Sequence, residues 1–168
     1  MDFPDPDRFR AALREAIHVL VRDEVVRTAA ALSTRGTDFL QLKVEGIRDC
    51  AELLVVGVAD GGAQEIFGRR TLPEMSLASV ACAIQNLWLA ARAENLGMGW
   101  VSMFEPEAIA ELLALPDDCK PIAVLCLGPV EAFYAAPMLQ QQRWREPRPL
   151  NELLSENRAR STPPLAPA

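Results

Sequence analysis

The stretch Gln85–Met103 constrains the fold of this chain more than any other segment. Apolar residues recur at helical spacing over residues 76–96, which predicts a long amphipathic helix. Gly97 follows directly and is a candidate for the left-handed residue that ends the helix. The next residues predict a strand over 100–104 that begins with the run Gly99-Trp100-Val101-Ser102. This order of helix, glycine turn and strand predicts a protein that mixes helices and strands.

Two interpretations of the glycines at this junction are open. Gly97 and Gly99 could let the backbone approach a flat ring, because glycine has no Cβ to block it. Alternatively, Gly97 only ends the helix and Gly99 only eases the entry into the strand, and spacing alone favours this second interpretation. Ser102 alternates with Trp100 and Phe104, so we expect the three side chains to share one face of the strand. A hydroxyl on such a face is bonded either to the backbone or to a ligand.

The remaining pattern predicts a small sheet with helices around it. Helical spacing of apolar residues predicts a helix over 8–31, and Pro106 at a first turn opens a short helix to residue 115. Two β-branched apolar runs, 53–59 and 122–128, predict buried strands. Together with the strand over 100–104, these elements predict an α/β or α+β domain in three layers.

Composition excludes several classes of partner. The formal net charge is -6, and a protein whose main partner is nucleic acid needs a basic face. No apolar run reaches the roughly 18 residues that span a bilayer, and the first residues lack the pattern of a signal peptide. We therefore expect a cytoplasmic protein that binds neither nucleic acid nor membrane.

The cysteines and the single histidine do not predict a metal site. None of the four cysteines forms a C-x-x-C pair, and no histidine lies near them in sequence. Cys82 and Cys126 lie in apolar runs and are expected to be small buried side chains. His18 lies on the first helical pattern, and we expect it to be a core histidine whose hydrogen bonds are satisfied.

The chain changes character after Pro129. The segment 131–149 holds three prolines, three glutamines and three arginines, and it predicts an extended arm that lies on a partner subunit. Arg145 and Arg148 near Trp144 could pair with a phosphate, while a solvated basic stretch is the other interpretation. We predict a single domain over residues 1–155 and a disordered tail over 156–168.

One family matches these motifs closely. The run Gln-Asn-Leu-Trp-Leu-Ala-Ala-Arg-Ala-Glu at 85–94, with Pro73-Glu74-Met75 before it, resembles the BluB-type 5,6-dimethylbenzimidazole synthases. These form a branch of the FMN-dependent nitroreductase-like proteins. Upstream, the segment 42–47 (Leu-Lys-Val-Glu-Gly-Ile) is similar to the family's Leu-Lys-Leu-Glu-Gly-Ile. The resemblance covers most of residues 40–155.

The resemblance implies a fold, an assembly and an activity. The fold is α+β and nitroreductase-like, with a central mixed sheet flanked by helices in three layers and an extended C-terminal arm. The assembly is a homodimer with FMN sites at its interface, formed partly by swapped arms. The activity is the oxygen-dependent fragmentation of reduced FMN to 5,6-dimethylbenzimidazole, the lower ligand of cobalamin. FMN is then both cofactor and substrate, and dioxygen is the co-substrate.

The resemblance also assigns roles to particular residues. It implies that Ser102 is catalytic in the fragmentation steps. It places the run Gly99-Trp100-Val101 beside the flavin. It places Arg145 or Arg148 of the arm near the flavin phosphate.

The chain departs from the family pattern in two places. Family members begin with an Arg-Arg-x-x-Arg cluster that holds the FMN phosphate, with a catalytic aspartate nearby, and Met1 falls after that region, so we expect an N-terminally truncated fold. After Pro73-Glu74-Met75 the family commonly continues Asp-Leu-Tyr-Ser, whereas this chain has Ser-Leu-Ala-Ser. Two alternatives therefore stay open: an FMN-dependent NAD(P)H oxidoreductase of the nitroreductase type, and an inactive truncated homologue that binds no flavin.

Overall fold

Three β-strands form the sheet at the centre of the structure. The computed structural model describes residues 6–32, 34–42, 44–59 and 71–157. The strands β1 (Glu52–Ala59) and β2 (Leu96–Val101) both pair antiparallel with β3 (Cys119–Pro129), so the order is β1-β3-β2. The sequence predicts all three strands. The described strands are all antiparallel, so the mixed pairing that the resemblance implies is not seen among them.

Five helices surround this sheet in the described part of the first 130 residues. Their bounds are α1 (Pro6–Ala31), α2 (Gly36–Leu40), α3 (Gly46–Asp49), α4 (Met75–Ala93) and α5 (Pro106–Leu112). The long helices α1 and α4 follow the two predicted helical patterns. Pro106 occupies the first turn of α5, where a residue without an N–H costs no hydrogen bond.

The central strand β3 separates two apolar clusters. Val124 packs on one face with Val21 of α1, Ile47 of α3 and Ile109 of α5. Ala123 and Leu125 point to the opposite face, because successive side chains of a strand alternate. There they pack with Ile84 of α4 and Met98 of β2. The sheet is therefore a middle layer between α4 and the other helices, and the predicted three-layer α+β architecture is confirmed.

Residues from Glu131 onward form a second compact unit. It contains two single-turn helices, α6 (Met138–Gln141) and α7 (Leu150–Leu153), and none of its described residues is buried. The lack of a core agrees with the composition of the predicted arm. The predicted tail lies almost entirely outside the described residues, which end at 157, and the single domain over 1–155 stays a prediction.

The described residues contain neither a membrane-spanning helix nor a cluster of metal ligands. Within them, no helix is both long enough and apolar enough to cross a bilayer. No group of three or more histidine, cysteine, aspartate or glutamate residues is arranged there to hold a metal ion. The cytoplasmic location stays a prediction.

His18 is buried as predicted, but its hydrogen bonds are not satisfied within the part of the chain that the structure describes. The side chain is 6% exposed, and neither Nδ1 nor Nε2 has a hydrogen-bond partner among the described residues. Burial lowers the pKa of His18, and the positive charge of Arg48 lowers it further, while Glu15 and Glu45 act in the opposite direction. The folded protein therefore favours the neutral imidazole.

We expect the stability of the protein to fall as the pH drops below about 6.5. In this range the unfolded chain binds a proton at His18 more readily than the folded chain, so stability is full above the usual histidine pKa and is lost as the pH falls. A His18→Leu variant should lose this dependence and gain about 1–3 kcal/mol, because it removes buried nitrogens without partners. Urea unfolding of both proteins at pH 5.5 and 7.5 measures the effect. An equal pH dependence in the two proteins would contradict the assignment, since His18 is the only histidine.

Candidate functional site

The junction between α4 and β2 is built differently from the sequence prediction. The helix ends at Ala93, and the left-handed residue that follows is Asn95, with a φ of 60°. Asparagine adopts this conformation more readily than most residues. The prediction that Gly97 ends the helix is therefore wrong. Gly97 lies inside β2, where it pairs with Gly128 of β3.

The two glycines of β2 differ in the space around them. A Cβ on Gly97 would overlap the side chain of Val130, so this position needs glycine for packing. A Cβ on Gly99 would meet only the Cβ of Cys126, at an ordinary contact distance of 3.9 Å. Nothing in the described structure requires glycine at position 99. The open space beside its backbone leaves room for the approach of a flat ligand.

These differences predict that one added methyl group costs much more stability at Gly97 than at Gly99. Gly97→Ala should lower the free energy of unfolding by about 1–3 kcal/mol, because the new Cβ overlaps Val130. Gly99→Ala should change it by less than about 1 kcal/mol, since the added Cβ fits and alanine restricts the unfolded chain. Urea unfolding of the two variants beside the wild type checks the difference. Equal losses in both variants would show that Gly99 also has a packing role.

Trp100, Val101 and Ser102 follow Gly99 at the end of β2. Trp100 pairs with Leu125 of β3, and its side chain is 38% exposed. The strand runs from Leu96 to Val101, so the predicted strand over 100–104 begins and ends too late in the sequence. Ser102 is exposed just beyond the strand, whereas Phe104 is buried in the core cluster with Ile109. The expectation that Trp100, Ser102 and Phe104 share one strand face is therefore wrong.

Arg145 and Arg148 lie in the second unit. Nε of Arg148 is 3.7 Å from Oε2 of Glu152, one helical turn away, and exposed pairs of this kind contribute little stability. The backbone N–H of Arg145 donates to the carbonyl of Leu139, and its side chain is exposed. The structure thus brings together Gly99, Trp100, Val101 and Ser102 at the end of β2, while Arg145 and Arg148 belong to a separate unit.

Sequence reasoning missed a cationic cluster on α1. The guanidinium of Arg14 donates hydrogen bonds to the carbonyl oxygens of Arg48, Cys50 and Ala51, at the end of α3. Arg48 in turn binds both carboxylate oxygens of Glu15, each at 2.6 Å, and this hydrogen bonding holds the pKa of Glu15 below its usual value. The partners are more than thirty residues apart in sequence. No local signal could have revealed them.

A shallow depression lies beside this cluster. Its volume is about 430 Å³, and its lining includes Arg10, Arg14 and Arg48. A neighbouring depression of about 360 Å³ is lined by residues of α1, β1 and the end of α5. None of the six predicted site residues lines either depression. Gly99, Trp100 and Ser102 are each exposed in this chain and form a surface at the end of β2.

The helix α4, which leads into that surface, is apolar around most of its circumference. Only Ile84 and Ala91 of its residues are buried. Leu77 is 47% exposed and Leu89 is 59% exposed. A helix that is apolar all round is normally buried on all sides. The exposed side of α4 therefore has the character of an interface.

The chain is similar in sequence to curated proteins. The chain is 38% identical over 135 residues to a 5,6-dimethylbenzimidazole synthase of Rhodobacter capsulatus, covering 78% of this chain and 65% of the relative. It is 37% identical over 116 residues to the 5,6-dimethylbenzimidazole synthase of Rhodospirillum rubrum, covering 68% of this chain and 55% of the relative. The chain therefore spans between 55% and 65% of the length of these relatives.

Solved structures share the fold at low sequence identity. The crystal structure of oxidized iodotyrosine deiodinase bound to FMN and 3-iodo-L-tyrosine matches with a TM-score of 0.61 and 16% identity, covering 76% of this chain and 66% of that chain. Nitroreductase A from Vibrio parahaemolyticus matches with a TM-score of 0.54 and 19% identity, covering 84% and 68%. The model of the nitroreductase family matches residues 3–129. The chain belongs to the nitroreductase family.

Proposed function

We propose that this protein acts as a 5,6-dimethylbenzimidazole synthase, which fragments reduced FMN with dioxygen to form the lower ligand of cobalamin. The observation that carries the proposal is the 37–38% identity to two synthases of this name over most of the chain. The residues that the resemblance makes functional, Gly99 to Ser102, lie together at the end of β2. Their surroundings are compatible with the proposed role.

The end of β2 has the properties that a flavin ring needs. Gly99 has little beside its backbone that would block a flat ring, and the neighbouring indole of Trp100 is 38% exposed and apolar. Reduced FMN would supply the electrons for dioxygen and also the ring that is broken. The hydroxyl of Ser102 can both donate and accept a hydrogen bond, which suits it to hold or move a proton. Arg145 and Arg148 would supply positive charge for the phosphate.

We also propose that the protein is a homodimer whose C-terminal arms are swapped. The exposed apolar side of α4 supports an interface, because an apolar patch of this kind is normally covered by a partner. The arm supports swapping, since none of its described residues is buried within the chain. A second copy would cover both surfaces at once.

Two measurements on the purified full chain test the function. The first is a titration with FMN, followed by quenching of the flavin fluorescence. The second is the formation of 5,6-dimethylbenzimidazole from photoreduced FMN after admission of dioxygen, followed by chromatography. We expect binding and product. Gly99→Ala should weaken FMN binding while it leaves the fold intact.

Other outcomes separate the alternatives. Binding of FMN with oxidation of NAD(P)H and no benzimidazole product would favour a nitroreductase-type oxidoreductase instead. Absence of FMN binding at millimolar flavin would remove both enzymatic functions for the chain as it stands. If Gly99→Ala binds FMN as tightly as the wild type does, this glycine does not contact the flavin. The test for product is unaffected by that result.

A further inference from the structure

Two of the four cysteines meet where α3 ends beside the central strand. Gly46 and Cys50 are one helical turn apart, and the N–H of Cys50 donates to the carbonyl of Gly46 at 3.0 Å. A Cβ on Gly46 would lie 3.9 Å from Sγ of Cys126 on β3. Residues four apart share a helix face, so the side chain of Cys50 also faces Cys126. Cys50 is also close enough to Cys126 to contribute to the raised pKa of the Cys126 thiol.

The surrounding structure holds this pair in place. Arg14 donates hydrogen bonds to the carbonyl oxygens of Cys50 and Ala51, and these bonds fix the end of α3. Cys126 is fixed from both sides by its pairing with Leu53 of β1 and Gly99 of β2. Both cysteines are half-buried, and neither is in a disulfide. The pair is therefore a pre-positioned dithiol.

We propose that Cys50 and Cys126 form a redox-active pair that hydrogen peroxide oxidises to an intramolecular disulfide. The sulfur of Cys50 attacks one peroxide oxygen, an S–O bond forms, the O–O bond breaks, and the departing oxygen leaves as water. The sulfur of Cys126 then attacks the sulfenic acid at Cys50, an S–S bond forms, and the hydroxyl leaves as a second water. The two sulfurs together lose two electrons, which reduce the peroxide.

The environment of Cys126 explains why Cys50 reacts first. Burial raises the pKa of Cys126 to about 12, and the charge and hydrogen bond of Cys50 contribute to the increase. At neutral pH Cys126 is therefore a thiol, and the thiolate is the form that attacks peroxide. When Cys50 becomes a neutral sulfenic acid, the negative charge of its thiolate no longer opposes the ionisation of Cys126. Cys126 then ionises more readily at the step where it must attack.

The other two cysteines do not take part. Cys119 is half-buried beside Gly57, at the far end of β3 from the pair, and Cys82 is exposed on α4. The expectation that Cys82 is a buried side chain is thus wrong. Cys126 is also expected to be buried, and it is half-buried, so the expectation for Cys126 is confirmed only in part. Cys82 and Cys119 therefore provide matched controls.

Peptide mapping of the full chain tests the proposal. The reduced protein is treated with a small excess of hydrogen peroxide, alkylated and digested, and the peptides are identified by mass spectrometry. We expect a linked pair of peptides containing Cys50 and Cys126, a mass loss of two hydrogens, and recovery of both thiols with dithiothreitol. Cys50→Ser and Cys126→Ser should each abolish the link. Cys119→Ser should retain it.

Three results would overturn the proposal. One is a stable sulfenic or sulfinic acid at Cys50 with no linked peptide, which would show that Cys126 cannot reach it. Another is oxidation confined to disulfides between two copies through Cys82. The third is recovery of Cys50 and Cys126 as two unlinked, fully alkylated thiols after the peroxide treatment, which would show that the pair is not redox-active. The experiment needs no flavin, so its result is independent of the proposed function.

Discussion

The Ser102→Ala variant is expected to bind FMN as the wild type does and to form 5,6-dimethylbenzimidazole at least about 100-fold more slowly, as is typical when a group that moves a proton is removed. Ser102 is exposed just beyond β2, and no hydrogen bond joins its side chain to another described residue. Its loss should therefore leave the fold unchanged. Product formation from photoreduced FMN and dioxygen, measured beside an FMN titration, checks both halves of the prediction.

Two further variants test whether the loss of rate is specific to the hydroxyl of Ser102. Ser102→Thr keeps the hydroxyl and should retain a substantial part of the rate. Thr37→Ala removes an exposed hydroxyl from α2, far from β2 in sequence, and should retain all of it. A wild-type rate in Ser102→Ala would remove the serine from the mechanism. A loss of FMN binding in that variant would instead assign Ser102 to holding the flavin.

The junction between α4 and β2 shows how far the sequence predicts this fold. Apolar periodicity predicts α4, because the apolar face of a helix is a local signal. The strand is predicted at 100–104 and forms at Leu96–Val101. The end of α4 was less predictable, since Asn95 and Gly97 both suit a left-handed residue. The choice of Asn95 depends on the pairing of β2 with β3, which places Gly97 opposite Gly128 and against Val130. The pairing of β2 with β3 is a tertiary interaction, and no local sequence pattern predicts it.

The sequence likewise predicts one part of the candidate site and its surroundings and not the other. The run from Gly99 to Ser102 was identified from its own residues and from the family resemblance. The sequence did not predict three other features. These are the contacts of Arg14 with the end of α3, the absence of hydrogen-bond partners for His18 among the described residues, and the proximity of Cys50 and Cys126. Each depends on residues that are distant in sequence and become neighbours only when helices pack on the sheet. Burial without hydrogen bonds, as at His18, is a property of the folded packing alone.

The exposed side of α4 leads to the second large expected effect. Leu89 lies there among small apolar residues, including Ala78, Cys82 and Ala93, which permit close approach of another element. The side of α4 that contacts the sheet is instead occupied by Ile84. Because apolar helices of this kind are normally covered, we expect Leu89 to be buried between two copies of the chain.

Leu89→Glu should convert the proposed dimer into a monomer, with a dissociation constant raised by about 100-fold or more, because an unpaired charge in an interface costs several kcal/mol. Val26→Glu provides the matched control: Val26 is 52% exposed on α1, so the same change introduces the same charge on a different helix. Analytical ultracentrifugation over a range of protein concentrations measures both variants, and circular dichroism verifies that each is folded. Dissociation by Leu89→Glu alone supports the α4 interface. Equal sedimentation of Leu89→Glu and the wild type would exclude it, and dissociation by Val26→Glu would move the interface to α1.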